Sequence, residues 1–383
     1  MKQTRIYMDH AASTPVHPLV TEAMLPYLHE QFGNASSVHA YGREAKQALN
    51  RARDLISAAI GCEPSELIFT GSGTESDNLA IIGAAAANTT DRKGILTSRI
   101  EHHAVLHPCE QLTNFGYGLT CLPVDILGKI SIEDVEANLN SQTFLMSLMY
   151  GNNEVGTVQP IDVAGRLARE NGVLFHVDAV QALGSLPISL KDLPVDLMSF
   201  SAHKINGPKG VGALYIGKQV RIQAQQFGGM QERKRRAGTE NVAGIIGFAK
   251  AVELSMNGLE EKRSLMLRLR NRFLEQLSER LGAERYVVNG HPTEVLPHIL
   301  NVSFIGIDAE TMLMNLDLEG IAAASGSACT SGSLEISHVL QAMELPNDVM
   351  RSAVRFSFGR GTTSEEIDIV VRKIETILDR VRK

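Results

Sequence analysis

Five apolar runs of strand length in this chain each end in a cluster of polar, chemically capable side chains. Leu67–Thr70 runs into Gly71-Ser72-Gly73-Thr74-Glu75-Ser76, Leu96–Ile100 into Glu101-His102-His103, and Phe144–Tyr150 into Asn152-Asn153-Glu154. Val173–Val177 runs into Asp178-Ala179-Val180-Gln181, and Leu197–Phe200 into Ser201-Ala202-His203-Lys204. Strands apolar on both faces, separated by helical segments or polar loops, predict an α/β fold with a mostly parallel central sheet covered on both sides. In such a sheet the ligand crevice lies outside the carboxyl ends of the strands. Reactive endings on one edge therefore predict one site, a convergence much harder to reach by chance than any single motif.

The segments between support this reading. Tyr41–Ile60 places Ala45, Ala48, Leu49, Ala52, Leu55, Ile56, Ala59 and Ile60 at helical spacing, with Gly61 as the stop. Further strand-like runs are Gly94–Ile100 and Val211–Ile216. A boundary near Asn257-Gly258 predicts a large α/β domain over 15–260 and a smaller α+β domain formed by 1–14 and 261–383. The smaller unit is read from a long helix at Glu260–Leu281, strand-like runs at Ile299–Phe304 and Ala353–Phe358, and a C-terminal helix opened by a capping box of Thr363 and Glu366. A chain of 383 residues suits two domains and needs no disulfide or metal staple. Its net charge of −6 argues against a sequence-independent grip on nucleic acid. No apolar run reaches the length of a membrane span, and the N-terminus has no signal-peptide pattern. Cys62, Cys109, Cys121 and Cys329 stand singly, without metal-ligand spacing, which suits a reducing compartment and a cytoplasmic location.

Gly71-Ser72-Gly73-Thr74 precedes a helix expected to start near Thr74, with Asp77 as capping partner. Free amides and the helix dipole there would hold an anion, and the glycines would let a phosphate approach the backbone. The plain alternative is a tight strand-to-helix turn. Lys204, just past a buried strand, can lose its proton by desolvation and form a Schiff base, with Ser201 and His203 placed to donate to a phosphate; alone it also reads as an exposed loop lysine. Asp178 tips that balance. A carboxylate ending an apolar strand needs a cationic partner, and a protonated pyridine nitrogen is one. Lysine, carboxylate and phosphate cradle together are the layout for pyridoxal phosphate.

His102 could stack on a flat ring, act as a base or bind metal, whereas His103 and His107 read as surface or packing residues. No metal site is expected, because the spacing fits no metal signature and would leave Asp178 and Lys204 without purpose. Cys329 sits among small residues in Ser325–Ser333, which predicts an accessible loop; as a nucleophile it needs a nearby base or positive charge. The other cysteines read as inert. Arg355 lies in the apolar run Ala353–Phe358 and should face a carboxylate, either an amino acid's or an internal partner's. The basic run Arg233-Lys234-Arg235-Arg236 is a solvated loop or a contact for phosphate or an acidic partner.

With these residues in place, the sequence resembles the cysteine desulfurases of the NifS/IscS type, fold-type I pyridoxal-phosphate enzymes of the class-V aminotransferase family. The likeness covers nearly the whole chain, from Tyr7–Pro15 and Gly33-Asn34-Ala35-Ser36-Ser37, through the strand endings above, to Arg236-Ala237-Gly238-Thr239, Ser325–Ser333 and Arg355-Phe356-Ser357. It implies that Lys204 carries the cofactor, that Asp178 holds the ring nitrogen and Gln181 the ring oxygen, and that His102 stacks on the ring. Gly73, Thr74, Ser201 and His203 would bind the phosphate, Asn153 would lie beside the cofactor, and Asn34, Asn153 and Arg355 would meet the substrate carboxylate. Thr239 would reach the phosphate of a second subunit, which implies a homodimer.

The activity implied is removal of sulfur from L-cysteine. Lys204 would move the α-proton, Cys329 would attack the substrate sulfur and keep it as a persulfide, and His102 would handle thiol protons. The persulfide would pass to an acceptor protein, with no direct role for nucleic acid or membrane. Two departures stand out. Met230 replaces a frequent family glycine, and the sequence ends at Lys383, where iron–sulfur members often continue into a scaffold-binding tail. An iron–sulfur scaffold and a tRNA-thiolating enzyme therefore both remain as acceptors. The rivals are a selenocysteine lyase or aminotransferase on the same cofactor and, from another class, a non-catalytic sulfur carrier.

Overall fold

The computed structural model describes residues 5–326 and 336–381. Its strands in chain order begin with Ile6–Tyr7 (β1), Leu67–Thr70 (β2), Gly94–Ser98 (β3), Gly118–Leu122 (β4), Thr143–Met149 (β5) and Leu174–Asp178 (β6). Leu197–Ser201 (β7), Gly212–Ile216 (β8), Tyr286–Asn289 (β9), Ile299–Phe304 (β10), Ile321–Ala322 (β11) and Ala353–Ser357 (β12) follow. A seven-stranded sheet runs in the order β2-β8-β7-β6-β5-β3-β4. Its pairs are parallel except those of β8, which is antiparallel to both β2 and β7. The link from β7 to β8 holds only a short turn at Ala202–Lys204. A parallel crossover needs a dozen or more residues, usually a helix, so β8 has to return antiparallel. The remaining six strands point the same way, and their carboxyl ends share one edge.

Burial explains which strands the sequence announces. Strands β7 and β8 are buried at every position, and β6 at all but its first. Edge strand β4 alternates exposed and half-buried residues, so Gly118-Leu119-Thr120-Cys121-Leu122 never forms the continuous apolar run that marks the others. Helices cover both faces. Ala40–Ile60 ends at Gly61, whose φ of 79° is left-handed and suits glycine, and packs against Val242–Met256. Helix Gly73–Ala87 packs against His103–Thr113 on the other side.

Two hydrophobic cores carry the fold. Phe175, Phe200, Phe248 and Ile56 belong to the core of the large sheet. A second core gathers Phe273 from helix Leu259–Leu281, Phe304 and Phe356 from the antiparallel sheet β12-β10-β9, and Ile374 from helix Ser364–Val381. That last helix starts with the expected capping box: Thr363 Oγ1 accepts from the Glu366 amide and Glu366 accepts from the Thr363 amide. The N-terminal segment joins the cores. Ile6 and Met8 pack in the second core and Ala11 in the first, while β1 pairs in parallel with β11.

Candidate active site

The strand endings open onto a cavity of about 290 Å³. Gly73, Thr74, His102, Asn153, Asp178, Gln181, Ser201, His203, Lys204 and Arg355, all expected from sequence, line it together. Asn34 and Thr239 do not: both are exposed, and Asn34 Oδ1 accepts from the Ser36 amide instead. Cys329 lies outside the described residues; Gly326, just before that stretch, lines the cavity.

One end of the cavity is built for an oxyanion. Helix Gly73–Ala87 is capped by Ser72, whose hydroxyl accepts from the Glu75 amide, while the Glu75 carboxylate accepts from the Gly71 amide. This corrects the expectation that Asp77 caps the helix: Asp77 lies inside the first turns, with its side chain buried. The first amides of the helix, at Gly73 and Thr74, belong to cavity-lining residues. Across from them the buried Ser201 Oγ has no hydrogen-bond partner. A side chain at position 73 would place its Cβ 2.6 Å from Val180 Cγ2, so only glycine keeps this turn closed against the loop after β6. His203 Nδ1 lies 3.4 Å from Ser13 Oγ, and burial, then Lys204, hold its pKa down to about 4.

The middle of the cavity gathers a carboxylate, a neutral imidazole and a lysine amine. Asp178 ends β6 with Oδ1 accepting from the Val180 amide at 2.9 Å. Burial lifts its pKa to about 6 against the opposing pull of that amide and of Lys204, so a cation placed on it would be strongly favoured. His102 Nδ1 accepts from the Ala104 amide at 3.0 Å, which leaves its proton on Nε2. Burial first, then Lys204 and three neighbouring histidines, hold its pKa down to about 4, so it is neutral at pH 7. Lys204 Nζ donates to the carbonyls of Ala11 (2.6 Å) and Ala12 (3.0 Å), and Gln181 Nε2 donates to Ala11 as well (2.9 Å). A free-standing phosphate acceptor, a ring-nitrogen carboxylate and a lysine amine in one cavity fit pyridoxal phosphate.

At the far end Arg355 is held on several sides. Nη1 donates to the carbonyls of Asn153 (2.8 Å) and Gly326 (3.1 Å), and Nη2 to Asp9 Oδ1 (2.9 Å), while the buried Nε has no partner. The internal ion pair foreseen as the alternative is therefore real, and Asp9 is the partner that sequence reading missed. Its place in Tyr7–Pro15 was legible; its fold across to β12 was not. Glu154 was also left without a role. It is buried, accepts from Ser337 Oγ and abuts Gly326.

Other expectations resolve more simply. His103 stacks on His107 at 4.8 Å and lies 4.7 Å from His338, whose Nε2 contacts the Glu101 carbonyl. In the basic run, Arg236 pairs with Glu75 and Arg233 donates to the carbonyls of Pro64 and Ser65, so both arginines tie the loop to the fold. Burial pushes the Cys62 thiol up to about 11 and raises Cys109 and Cys121 too, which keeps all three protonated and inert.

Comparison with known proteins agrees with this geometry. The family described as Aminotransferase class-V matches residues 6–370. A protein named cysteine desulfurase IscS from Methanosarcina thermophila is 48% identical over 377 residues, 98% of this chain and 93% of that one. A solved NifS-like protein superposes with a TM-score of 0.93 at 37% identity, covering 98% of this chain and all of the other. A third, SspA in complex with cysteine, gives a TM-score of 0.80 at 33% identity over 93% of this chain and 99% of that one.

Proposed function

The chain belongs to the class-V aminotransferase family, whose members depend on pyridoxal phosphate, and we propose that it is a cysteine desulfurase that takes sulfur from L-cysteine and releases L-alanine. The observation that carries this reading is the meeting, in one cavity, of Lys204, Asp178 and the unpartnered Ser201 hydroxyl with Gly326, which leads into the stretch bearing Cys329.

Pyridoxal phosphate, when bound, supplies an electron sink for bonds to the substrate's α-carbon. Gly73, Thr74, Ser201 and His203 would hold its phosphate, Asp178 its ring nitrogen, Gln181 its ring oxygen and His102 its face, and Lys204 would tether it. Asn153 and Arg355 would orient the substrate carboxylate, whereas Asn34 stands outside the cavity of its own chain; Arg355 keeps its Nε–H free for this while its other donors stay anchored. Lys204 Nζ, as a free amine, would move the substrate's α-proton. The Cys329 thiolate would attack the substrate sulfur; an S–S bond forms as the Cβ–S bond breaks, the electron pair left on Cβ takes a proton, and Lys204 returns the proton to Cα to give alanine. His102 is the candidate for handling thiol protons; with Nδ1 held by the Ala104 amide, its Nε2–H would give a proton rather than take one. The sulfur stays on Cys329 as a persulfide until an acceptor protein, an iron–sulfur scaffold or a tRNA-thiolating enzyme, collects it.

A homodimer completes the site in this reading. Thr239 is exposed and outside its own cavity, where it can serve a second copy. Leu28, Phe32, Val38, Tyr41, Phe227 and Met230 are large and exposed, which supports a covered face. Among the described residues no single helix is long and apolar enough to cross a membrane, and unpaired Cys62, Cys109 and Cys121 suit a reducing cytoplasm.

The test is direct. Protein incubated with pyridoxal phosphate should turn yellow and convert L-cysteine to alanine, and Lys204→Ala should lose the colour. Cys329→Ser should stay yellow but fail to pass ³⁵S from labelled cysteine to an acceptor. Undiminished sulfur transfer by Cys329→Ser, or wild-type protein that stays colourless, overturns the proposal.

A further inference from the structure

A row of buried polar groups beside Asp178 takes no part in the reaction above. Asp77 Oδ1 is buried without a hydrogen-bond partner and stands 3.6 Å from His176 Nε2. The Ser199 side chain opposes the rise that burial gives the Asp77 pKa, and its Oγ lies 2.9 Å from the same imidazole nitrogen. On the opposite side of the ring, His176 Nδ1 lies 2.8 Å from Ser147 Oγ. Ser199 is the register partner of Asp178 between β6 and β7, so the row runs directly alongside the carboxylate assigned to the ring nitrogen. Asp77 also lines the cavity shared by Lys204, Arg355, His102 and His103, so these groups belong to its surroundings. Strand β6 brings His176 and Asp178, the turn after β3 brings Glu101, and helix His103–Thr113 brings Cys109. Strand β2 has no ionisable side chain, and β8 has only Tyr215. Burial keeps His176 neutral, with its pKa held down to about 3.

A neutral imidazole between two hydroxyls admits two hydrogen-bond directions. With Asp77 protonated, its O–H donates to Ser199, Ser199 donates to Nε2, and Nδ1–H donates to Ser147. With Asp77 ionised, one proton has left to solvent and every bond reverses: Ser199 donates to the carboxylate, Nε2–H donates to Ser199, and Ser147 donates to Nδ1. The second arrangement sets another negative charge next to Asp178 in a dry layer, which is costly. We propose that Asp77 is a neutral acid and a positioning residue, whose proton fixes His176 as the Nδ1–H tautomer and leaves Asp178 as the single carboxylate facing the ring nitrogen. The consequence for the cofactor rests on the reading of Asp178 given above; the tautomer does not.

The experiment is ¹⁵N NMR of the His176 ring in the cofactor-loaded protein as pH is raised from neutral, beside the visible absorbance of the cofactor. The Nδ1–H tautomer is expected at neutral pH, with a switch to Nε2–H under alkaline conditions and an absorbance step at the same midpoint. In Asp77→Asn the amide donates to Ser199 at every pH, so the Nδ1–H tautomer should persist and the absorbance step should vanish. An Nε2–H tautomer in wild type at neutral pH overturns the proposal, as does a switch that survives in Asp77→Asn. Should the protein fail to bind the cofactor, the same spectra of the cofactor-free chain still read the tautomer, so failure of the functional reading is told apart from failure of this one.

Discussion

Glu101 shows how far single side chains in this sheet depart from their behaviour in water. It lies in the turn after β3, fully buried; its Oε1 accepts from Ser98 Oγ and the Met149 amide, and Oε2 has no partner. Burial outweighs both hydrogen bonds and lifts its pKa to about 8. A carboxyl whose folded pKa lies above its unfolded value near 4.5 binds its proton more tightly when folded. Its contribution to stability is complete below that unfolded value and is lost as pH rises towards 8, with a slope of at most ~1.4 kcal/mol per pH unit. Glu101→Gln keeps an acceptor for Ser98 and Met149 but cannot ionise. Calorimetric melting should therefore show the variant gaining on wild type between pH 5 and 8 and running parallel above; a constant gap across that range would refute the shift. None of this was legible in the sequence. Glu101 was read as part of a strand ending, and only the packing of Ser98 and Met149 around it reveals a buried acid. Asp77 was misread for the same reason: helix position suggests a cap, and only tertiary burial shows otherwise. Lys204, Asp178 and His102 were legible as cavity residues because their type and their place at a strand end single them out.

At the scale of elements, the turn from β2 into helix Gly73–Ala87 carries the most function per residue. Ser72 and Glu75 close the helix start, Arg236 pins Glu75 from another loop, and Gly73 leaves room for Val180. Gly73→Ala would drive a methyl into Val180 Cγ2, displacing the turn from the phosphate end of the cavity. Cofactor affinity, followed by absorbance titration, should fall at least tenfold, about 1.4 kcal/mol, while the far-ultraviolet circular dichroism is retained. Gly326 occupies the equivalent position at the other end. Its φ of +85° is left-handed, and a Cβ there would lie 2.4 Å from Glu154 Oε2. Gly326→Ala should cost about 1–3 kcal/mol in a chemical denaturation curve and lower sulfur transfer more than cofactor affinity, because Lys204, Asp178 and Ser201 are untouched. Equal losses of both would count against separate roles for the two ends. The glycines themselves were visible in the sequence. That β8 runs antiparallel was visible only in the shortness of the link from Ser201 to Gly212, a signal that apolar periodicity does not carry.

For the whole molecule the deciding feature is the N-terminal strap, because the cavity takes residues from the large sheet and Arg355 from β12, and the strap crosses between the two cores. Its Ala11 and Ala12 carbonyls receive Lys204, and its Ala11 amide donates to Ser357 Oγ on β12 at 2.8 Å. Asp9 then reaches Arg355, whose side chain is 3% exposed against 20% for Asp9. Removing one partner of a buried ion pair leaves the other uncompensated, at a cost of about 3–5 kcal/mol where burial is complete. The part-exposed Asp9 places this pair at the lower end, so Asp9→Asn should destabilise the protein by about 3 kcal/mol in urea unfolding. The same change should act in the opposite sense on substrate. Asp9 holds Nη2 while the carboxylate of L-cysteine would take the free Nε–H, so the two compete for the charge of one guanidinium rather than for one donor, and Nη1 stays fixed on the carbonyls of Asn153 and Gly326 in either case. With the charge at position 9 removed and the arginine still anchored, the positive end of the cavity strengthens and KM for L-cysteine should fall while kcat changes little. A raised KM would mean that Asp9 serves mainly to aim Arg355, and the competition argued here would be wrong.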